Sequence, residues 1–367
     1  MQRLCVLLAI VVASATASQV RAQTEAASDE HHGLSEGLSP KLTLHGFSDI
    51  TLHADRIRGG TGGTDSSFTL GQLDFYTASH LADNLSFLGE VVFELDDKQD
   101  TVADVERVFI KYRFADSLGV AFGRVHTALG YWNEAMHHGA LLQPTVERPE
   151  ALKFEDDGGI LPVHSVGLEL GGQVPLGSWS FNYVSNLANG RGASREIVQG
   201  SADSNRQKAV ALKLSFAHEG AATFRFGPTI YSDVIPGDPL TPGREGEIGE
   251  RILGGHFVYE GKRLQLVTEY FAMNHEDRRT DAKFDHKAWY AILVGRAGAW
   301  KPYVGVDAIN FDPGDPYFAP ADEDLKRYLG GIRYDFNPFA ALKAEVRRED
   351  RGGVKRDVLA IQTAFTF

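Results

Sequence analysis

Apolar and polar residues alternate along the chain from residue 41 to the end. The final segment, DVLAIQTAFTF, places Leu359, Ile361 and Phe365 on one face and small or polar residues on the other. A period of two is the period of a β-strand, so each such segment predicts a strand with one apolar face. The same pattern recurs in KLTLHGFSDITLHA, NLSFLGEVVFELDD, VERVFIKYRFA and later segments, which together predict an all-β fold of sixteen strands.

The connections between these segments alternate in length. Short ones such as PLG and EGK are followed by long polar ones such as LANGRGASREIVQGSADSN, DVIPGDPLTPGREGEIG and EDRGGVKR. Short turns on one side and long loops on the other are the layout of outer-membrane β-barrels. A soluble β-sandwich also alternates, but it has no reason to sort its loops by length. We therefore predict a transmembrane antiparallel barrel over residues 41–367, with short periplasmic turns and long extracellular loops.

The barrel prediction assigns a role to each face. In hydrocarbon no backbone donor is left unpaired, so the strands close on themselves, with apolar residues toward lipid and charged residues toward the lumen. Sixteen strands leave a lumen wide enough for water. Aromatic residues near strand ends, among them Trp179, Trp300 and Tyr303, are predicted to lie at the membrane interfaces. The residues predicted to line the pore are Arg107, Lys111, Arg113, Arg124, Lys213, Arg225, Glu90, Glu94 and Asp74.

The N-terminus has the pattern of a secretory signal peptide. A basic residue, Arg3, precedes an apolar stretch, and small residues follow it. We predict a signal peptide over residues 1–22, with cleavage after Ala22 or alternatively after Ala17, and a flexible segment over residues 23–40. The only cysteine, Cys5, lies within this peptide, so the exported chain is expected to contain no disulfide.

Composition and motifs exclude several other functions. A formal net charge of −12 argues against a nucleic-acid partner. No GxSxG element is present, and Glu134, His137 and His138 do not match the HExxH zinc motif. We therefore expect no enzyme activity, no cofactor and no metal. A soluble periplasmic β-sandwich and a barrel that acts as an adhesin or structural anchor remain as alternatives.

The chain resembles the outer-membrane porins of Gram-negative bacteria, in particular the phosphate-selective porin O and P family. The resemblance rests on Gly123-Arg124, Thr127, the run Gly130-Tyr131-Trp132-Asn133, the segment LGQLDFYTASHLADNLSFLGEVVFE and the terminal Phe367. Ala128 stands where that family's motif would place proline. The likeness covers the order of strands, short turns and long loops along the whole exported chain.

The resemblance implies that the third long loop folds into the lumen and narrows it. Residues 131–159 would then form the constriction, with their acids opposite basic wall residues such as Arg107, Lys111, Arg124 and Lys213. The residues assigned to this constriction are Tyr131, Trp132, Asn133, Glu134, Glu147, Glu150, Glu155, Asp156 and Asp157. A transverse field of this kind tunes which solutes and ions pass.

The resemblance further implies a passive channel for small hydrophilic solutes or ions in the cell outer membrane, assembled as a homotrimer. The expected partners are membrane lipid, lipopolysaccharide and the β-barrel assembly machinery, which would read Phe367 as its C-terminal signal. Basic residues outnumber acidic ones on the predicted wall, which favours a weak preference for anions, with phosphate as a candidate. The acidic third loop and the net charge favour cations instead.

Overall fold

The computed structural model describes residues 41–60, 63–95, 101–153, 158–195, 205–241, 243–318 and 323–367. The predicted signal peptide and the segment over residues 23–40 lie outside the described residues. So do Glu155, Asp156 and Asp157 of the predicted constriction. In the described part of the chain, no helix is both long and apolar enough to cross a lipid bilayer.

The fold is almost entirely β. Its strands are β1 Lys41–Ile57, β2 Asp65–Ala82, β3 Leu85–Leu95, β4 Thr101–Ala115, β5 Leu118–His126, β6 His164–Leu176, β7 Trp179–Ala188, β8 Ala209–His218, β9 Thr223–Ile235, β10 Ile248–Glu260, β11 Leu264–Asp277, β12 Lys283–Gly295, β13 Trp300–Asn310, β14 Leu325–Asn337, β15 Ala340–Arg351 and β16 Val354–Thr366. One short α-helix, α1 (Trp132–Ala135), and 3-10 turns at Ala140–Leu142 and Glu150–Leu152 lie between β5 and β6.

The sixteen strands form one closed antiparallel barrel in which every strand pairs with its neighbours in sequence. The closing seam joins β1 to β16, from Phe47 opposite Thr366 to Ile57 opposite Arg356. Closure leaves no sheet edge, which is the condition for a β-structure in a bilayer. The predicted strand number and the pairing of the last strand with the first are confirmed.

Loop lengths alternate around most of the barrel, but one of the long loops named above is short in the structure. The segment EDRGGVKR, predicted as a long loop, is a tight hairpin in which β15 and β16 are joined by Gly352 and Gly353. Both glycines have positive φ, 56° and 86°, a conformation that glycine adopts without a steric penalty. The two strands therefore extend further than the polar composition of the segment indicates.

The outer face of the barrel is apolar, as the alternation predicts. On β16, Leu359 is 46% exposed and Ile361 40%, whereas the intervening Ala360 is fully buried. Predicted interface aromatics, including Trp179 and Trp300, are also exposed on the outside. The prediction for Tyr303 is wrong, because its side chain points inward and its hydroxyl donates a hydrogen bond to Glu345 Oε2 at 2.9 Å.

The interior is filled on one side rather than uniformly open. A large buried cluster joins Leu129, Trp132 and Leu152 of the β5–β6 loop to Phe271 and Tyr290 on the wall. A smaller cluster packs Leu141 of the same loop against Phe47, Ala341 and Ala364. The predicted entry of the third long loop into the lumen is therefore confirmed.

An arginine placed on the outer face near the middle of β16 should destabilise the barrel. We expect Leu359→Arg to lower the free energy of unfolding by about 2–4 kcal/mol, because a charge at that depth leaves water for hydrocarbon. The measurement is a guanidinium titration of the protein folded in phospholipid vesicles. Val354→Arg, at the rim of the same strand, is the control and should cost about 0–1 kcal/mol. Equal effects of the two changes would show that this face does not contact hydrocarbon.

Candidate functional site

The β5–β6 loop, residues 127–163 and called L3 below, is held closed at its base. The side-chain nitrogen Nδ2 of Asn133 donates to the carbonyl oxygens of Thr127, at 3.1 Å, and Val163, at 2.8 Å. The Thr127 amide also donates to the Val163 carbonyl at 3.0 Å. One buried amide side chain thus ties together the two ends of the loop. This gives Asn133, predicted as a constriction residue, a specific position and a fixed orientation.

The start of L3 docks on β11 and β12 through one carboxylate. Glu269 accepts hydrogen bonds from the backbone amides of Tyr131, at 2.5 Å, and Trp132, at 3.0 Å. Tyr290 donates its hydroxyl to the same carboxylate at 2.5 Å, and its ring packs edge-on against the buried Trp132 ring. The amides at the start of a helix lack partners within the helix, so a wall carboxylate satisfies them here.

The tip of L3 is held by basic side chains of the opposite wall. Lys343 is fully buried and donates to the carbonyls of Ala140, at 2.6 Å, and Thr145, at 2.7 Å. Arg333 donates to the carbonyls of Leu141, at 2.7 Å, and Gln143, at 2.9 Å. Polar groups of irregular backbone cannot be buried without partners, and these cations supply them.

The acids of L3 form buried ion pairs with β14 and β15. Glu150 contacts Arg327 at 2.5 Å and Lys153 at 3.3 Å, and it also pairs with Arg351. Glu147 contacts Arg347 at 2.6 Å. Burial alone would raise the pKa of Glu150, but the positive charge of Arg327, Lys153 and Arg351 outweighs it and lowers the pKa to about 2.

The wall cations predicted to lie opposite the L3 acids differ in their ion-pair partners. Glu134 pairs with Lys213, as expected. Arg107 instead pairs with Glu90 of β3 at 2.6 Å, and Lys111 with Glu169 of β6 at 3.5 Å. Alternation along a strand shows which face a charge lies on, but not which neighbouring strand holds its partner.

The other predicted pore residues also have partners within the wall. Arg124 donates to the Glu106 carbonyl at 3.0 Å, and Gln72 donates to Glu94 at 3.1 Å. Further wall contacts join Arg225 to Glu260 at 2.8 Å and Arg113 to Asp116 at 4.0 Å, and Asp74 is buried.

L3 leaves an open space beside β4–β7. A cavity of about 190 Å³ lies there, between the wall and the start of the loop. Its charged and polar lining consists of Arg107, Lys111, Arg113, Asp116, His126, Glu134, Glu169, Gln173, Asn182 and Tyr183. Three predicted pore residues of β4, Arg107, Lys111 and Arg113, therefore share one polar space with Glu134 of L3.

Four histidines converge next to this space, and the sequence pattern did not predict them as a group. His126 and His164 face each other across the β5–β6 pairing, and His137 and His138 come from L3 after α1. Each of the four rings offers one nitrogen, and these four nitrogens lie within 4.8 Å of one another. Burial is the main cause that lowers the pKa of His137 far below its usual range and that of His138 to about 4, so both rings are neutral near neutral pH.

Carboxylates surround this histidine cluster. Glu90 Oε1 lies 2.7 Å from His138 Nδ1, and Glu106 Oε2 lies 3.0 Å from His164 Nε2. Glu106 reaches the lumen because of a β-bulge, since Glu90 pairs with Arg107 while the next residue, Val91, pairs with Val105. The extra residue turns two consecutive side chains inward. Strict alternation would have placed Glu106 in lipid.

A second buried group joins His275, His286 and Asp315. Asp315 Oδ2 lies 2.6 Å from His275 Nδ1 and 2.7 Å from His286 Nε2. His275 Nε2 contacts Glu250 at 3.1 Å, and His286 Nδ1 accepts the Asp312 amide at 3.1 Å. All four ring nitrogens are thus engaged in hydrogen bonds, and this group ties the β13–β14 loop to the wall.

No protein-family model matches the chain, and a search of curated proteins found no match. Solved structures do match. The anion-selective porin from Comamonas acidovorans has a TM-score of 0.63 and 9% identity over 90% of this chain and 100% of that one. The outer membrane channel DcaP of Acinetobacter baumannii has a TM-score of 0.61 and 10% identity, covering 91% of this chain and 99% of that one.

A third match is the trimer form of in-vitro folded OmpT, an outer membrane protein of Vibrio cholerae. Its TM-score is 0.57 and its identity 13%, over 90% of this chain and 100% of that one. The chain has the fold of outer-membrane porins. At these identities the likeness extends to the fold alone, and the narrower resemblance to the phosphate-selective porin O and P family stays a prediction.

The Glu150 ion pairs predict an acid-sensitive attachment of L3. The folded-state pKa lies below the ordinary value of 4.5, so the stabilisation is complete above pH 4.5 and is lost as the pH falls toward 2. The shift corresponds to roughly 3 kcal/mol. We expect Glu150→Gln to lower the unfolding temperature at pH 7 and to flatten its decline between pH 4.5 and 2, as measured by circular dichroism.

Glu219→Gln, a change at an exposed acid in the β8–β9 turn, is the matched control and should leave the pH profile unchanged. A Glu150→Gln profile parallel to that of the wild type would contradict the assigned role of these pairs.

Proposed function

We propose that this protein is an outer-membrane porin, a water-filled channel for passive diffusion of small hydrophilic solutes and ions. The observation that carries the proposal is the combination of an apolar outer face with a polar space inside the closed barrel, beside an inserted loop. Solutes would pass between β4–β7 and the start of L3. The fold shared with an anion-selective porin and with an outer membrane channel supports the same role.

The constriction of this channel is formed by the edge of L3 and the β4 row. Glu134 stands on the loop side of the cavity, and Lys111 and Arg113 stand on the wall side. Charges on opposite sides of a narrow aqueous section select solutes by charge and dipole. Tyr131, Trp132 and Asn133 act by fixing the loop rather than by contacting solute, because their contacts are with the wall and the loop base.

The channel has a weak preference for anions. Most lumen cations are neutralised by an adjacent acid, as in the Arg107–Glu90 pair, where both side chains are largely buried. Lys111 and Arg113 keep about two fifths of their side-chain surface exposed, at 39% and 41%, whereas Glu169 is only 18% exposed. The accessible charge on this stretch of wall is therefore positive, although Asp116 at its end is exposed and acidic. Phosphate is one candidate solute.

A barrel that serves only as an adhesin or anchor is the second candidate. Such a barrel has no need for a loop fixed inside its lumen at the base, the start and the tip. The buried contacts of Asn133, Glu269 and Lys343 with L3 favour a controlled passage instead.

The proposed location, oligomeric state and membrane insertion of the protein are also those of a porin. The protein lies in the outer membrane, where it contacts lipid and lipopolysaccharide, and it forms a homotrimer. The trimer form of Vibrio cholerae OmpT, which has a similar barrel, supports the homotrimer. It is inserted by the β-barrel assembly machinery, which recognises Phe367. The Phe367 ring is 57% exposed on the outer face, while its backbone pairs with Gly46.

Purified protein added to a planar lipid bilayer should produce stepwise increases in conductance. In a salt gradient, the reversal potential should indicate a weak anion preference, because Lys111 and Arg113 raise the local anion concentration. We expect Lys111→Glu to shift the reversal potential toward cation selectivity, with the channel still open.

Lys262→Glu, a change of the same charge in the exposed β10–β11 turn, is the control and should leave the reversal potential unchanged. If folded protein adds no conductance, the porin proposal is wrong. If conductance is present but Lys111→Glu and Lys262→Glu behave alike, the assigned passage is wrong.

Phe367→Ala should impair insertion into the outer membrane without affecting synthesis or export. The change removes the terminal aromatic ring but preserves the backbone pairing with Gly46. The measurement is the fraction of protein recovered from outer membranes in the heat-modifiable, folded form. Phe114→Ala, which removes another outward aromatic ring with 64% exposure, is the control and should assemble normally. Equal recovery of the two variants would show that Phe367 is not an assembly signal.

A further inference from the structure

The histidine cluster at the base of L3 has the features of a metal site. His126, His138 and His164 bring ring nitrogens together within 4.8 Å, and the Nε2 atoms of His126 and His138 are 2.5 Å apart. Imidazole nitrogens are the ligands that zinc, copper and nickel ions prefer among nitrogen and oxygen donors. We propose that these three histidines bind a divalent transition-metal ion, for which Zn²⁺ is the probe.

The surrounding carboxylates decide which ring nitrogen of each histidine would bind. A histidine ligand usually donates its second ring N–H to a carboxylate, which fixes the tautomer and orients the ring. Glu90 Oε1 lies 2.7 Å from His138 Nδ1, and Glu106 Oε2 lies 3.0 Å from His164 Nε2, so each carboxylate faces one ring nitrogen. We therefore assign the other ring nitrogens, His138 Nε2 and His164 Nδ1, to the ion, together with His126 Nε2, which lies 2.5 Å from His138 Nε2.

His137 does not fit the same scheme. Its Nδ1 lies 3.3 Å from an Arg148 nitrogen, and an arginine can only donate, so this ring nitrogen accepts a hydrogen bond. The proton of the neutral ring is then on Nε2, which is the wrong tautomer for a metal bound through that atom. Three histidine ligands would leave the fourth tetrahedral position open to water.

The site is reachable from the lumen. His126 lines the open cavity, which gives an ion a path from the lumen. Arg107, Arg124 and Lys213 of the wall and Arg148 of L3 are the cations around these rings. Arg107 is paired with Glu90, and Arg124 contacts the backbone of Glu106. Tetrahedral binding with Zn–N distances of 2.0–2.1 Å separates ligand nitrogens by about 3.3 Å, so His126 and His138 would move apart by less than about 1 Å.

The ion would attach L3 to the wall. His138 belongs to the loop, whereas His126 and His164 end and begin the two strands that flank it. The site borders the passage through His126. Its occupancy can nevertheless be measured without any reference to conductance.

The test is a Zn²⁺ titration of the full folded protein by isothermal calorimetry. We expect one Zn²⁺ per chain, a loss of affinity of more than about 100-fold in His138→Ala, and a loss of about 10–100-fold in Glu90→Gln. His137→Ala should change the affinity by less than about tenfold. The double change His31→Ala with His32→Ala, which removes the adjacent pair before the barrel, is the control and should leave this site intact.

Wild-type affinity in His138→Ala, or loss of binding in the His31/His32 variant, would overturn the proposal. A loss in His137→Ala as large as in His138→Ala would overturn the assignment of three ligands. If His138→Ala does not fold, X-ray absorption of the zinc-loaded wild type decides the question. Three imidazole nitrogens at 2.0–2.1 Å support the site, and a shell of oxygen ligands refutes it.

Discussion

The arrangement of the interior depends on one constraint, that the backbone of L3 must find hydrogen-bond partners inside the barrel. Irregular backbone in the lumen has no neighbouring strand to pair with, and buried amide and carbonyl groups are costly without partners. The wall supplies these partners with side chains. Glu269 accepts the amides at the start of α1, Asn186 and Thr229 bind the two backbone polar groups of Ala128, and Lys343 donates to carbonyls at the tip. The polar lumen is therefore also the binding surface for the loop.

This requirement makes the lumen asymmetric. The wall residues that hold L3 lie mainly on β11–β15, so the loop packs on that side and the cavity is left along β4–β7. The requirement to hold L3 also explains why so many charged side chains of the wall are paired. Breaking a buried pair leaves an uncompensated charge and costs about 3–5 kcal/mol, so Arg327 and Glu150 are more constrained than exposed charges such as Lys111. Residues that shape the channel and residues that face solute are consequently different sets.

Alternation of side chains predicted the outer face, counting the alternating segments gave the strand number, and the need to pair every backbone donor in hydrocarbon predicted the closing seam. It could not predict features that break or ignore this period. The Glu106 bulge adds a residue that reverses the alternation locally. Tyr303 follows the alternation, on the same inward face of β13 as Asp307, and its assignment to the interface rested on residue type alone. Nor does sequence spacing show that His126 and His164 meet, since only the register of β5 and β6 on either side of L3 brings them together. Sequence spacing likewise does not show that Glu147 pairs with Arg347 or that Glu150 pairs with Arg327.

The position of L3 also depends on the closure of the barrel. Leu141 packs against Phe47 of β1 and Ala364 of β16, the two strands of the seam. Gln362 of β16 donates to Thr51 of β1 at 3.1 Å and to the Val146 carbonyl of the loop at 3.3 Å. Gly139 has a φ of 67°, and a Cβ there would overlap the Phe47 ring, so the loop approaches the seam closely. These contacts exist only when the first and last strands are paired. The docked position of L3 therefore requires a closed barrel, and L3 in turn stabilises the seam that its docking requires.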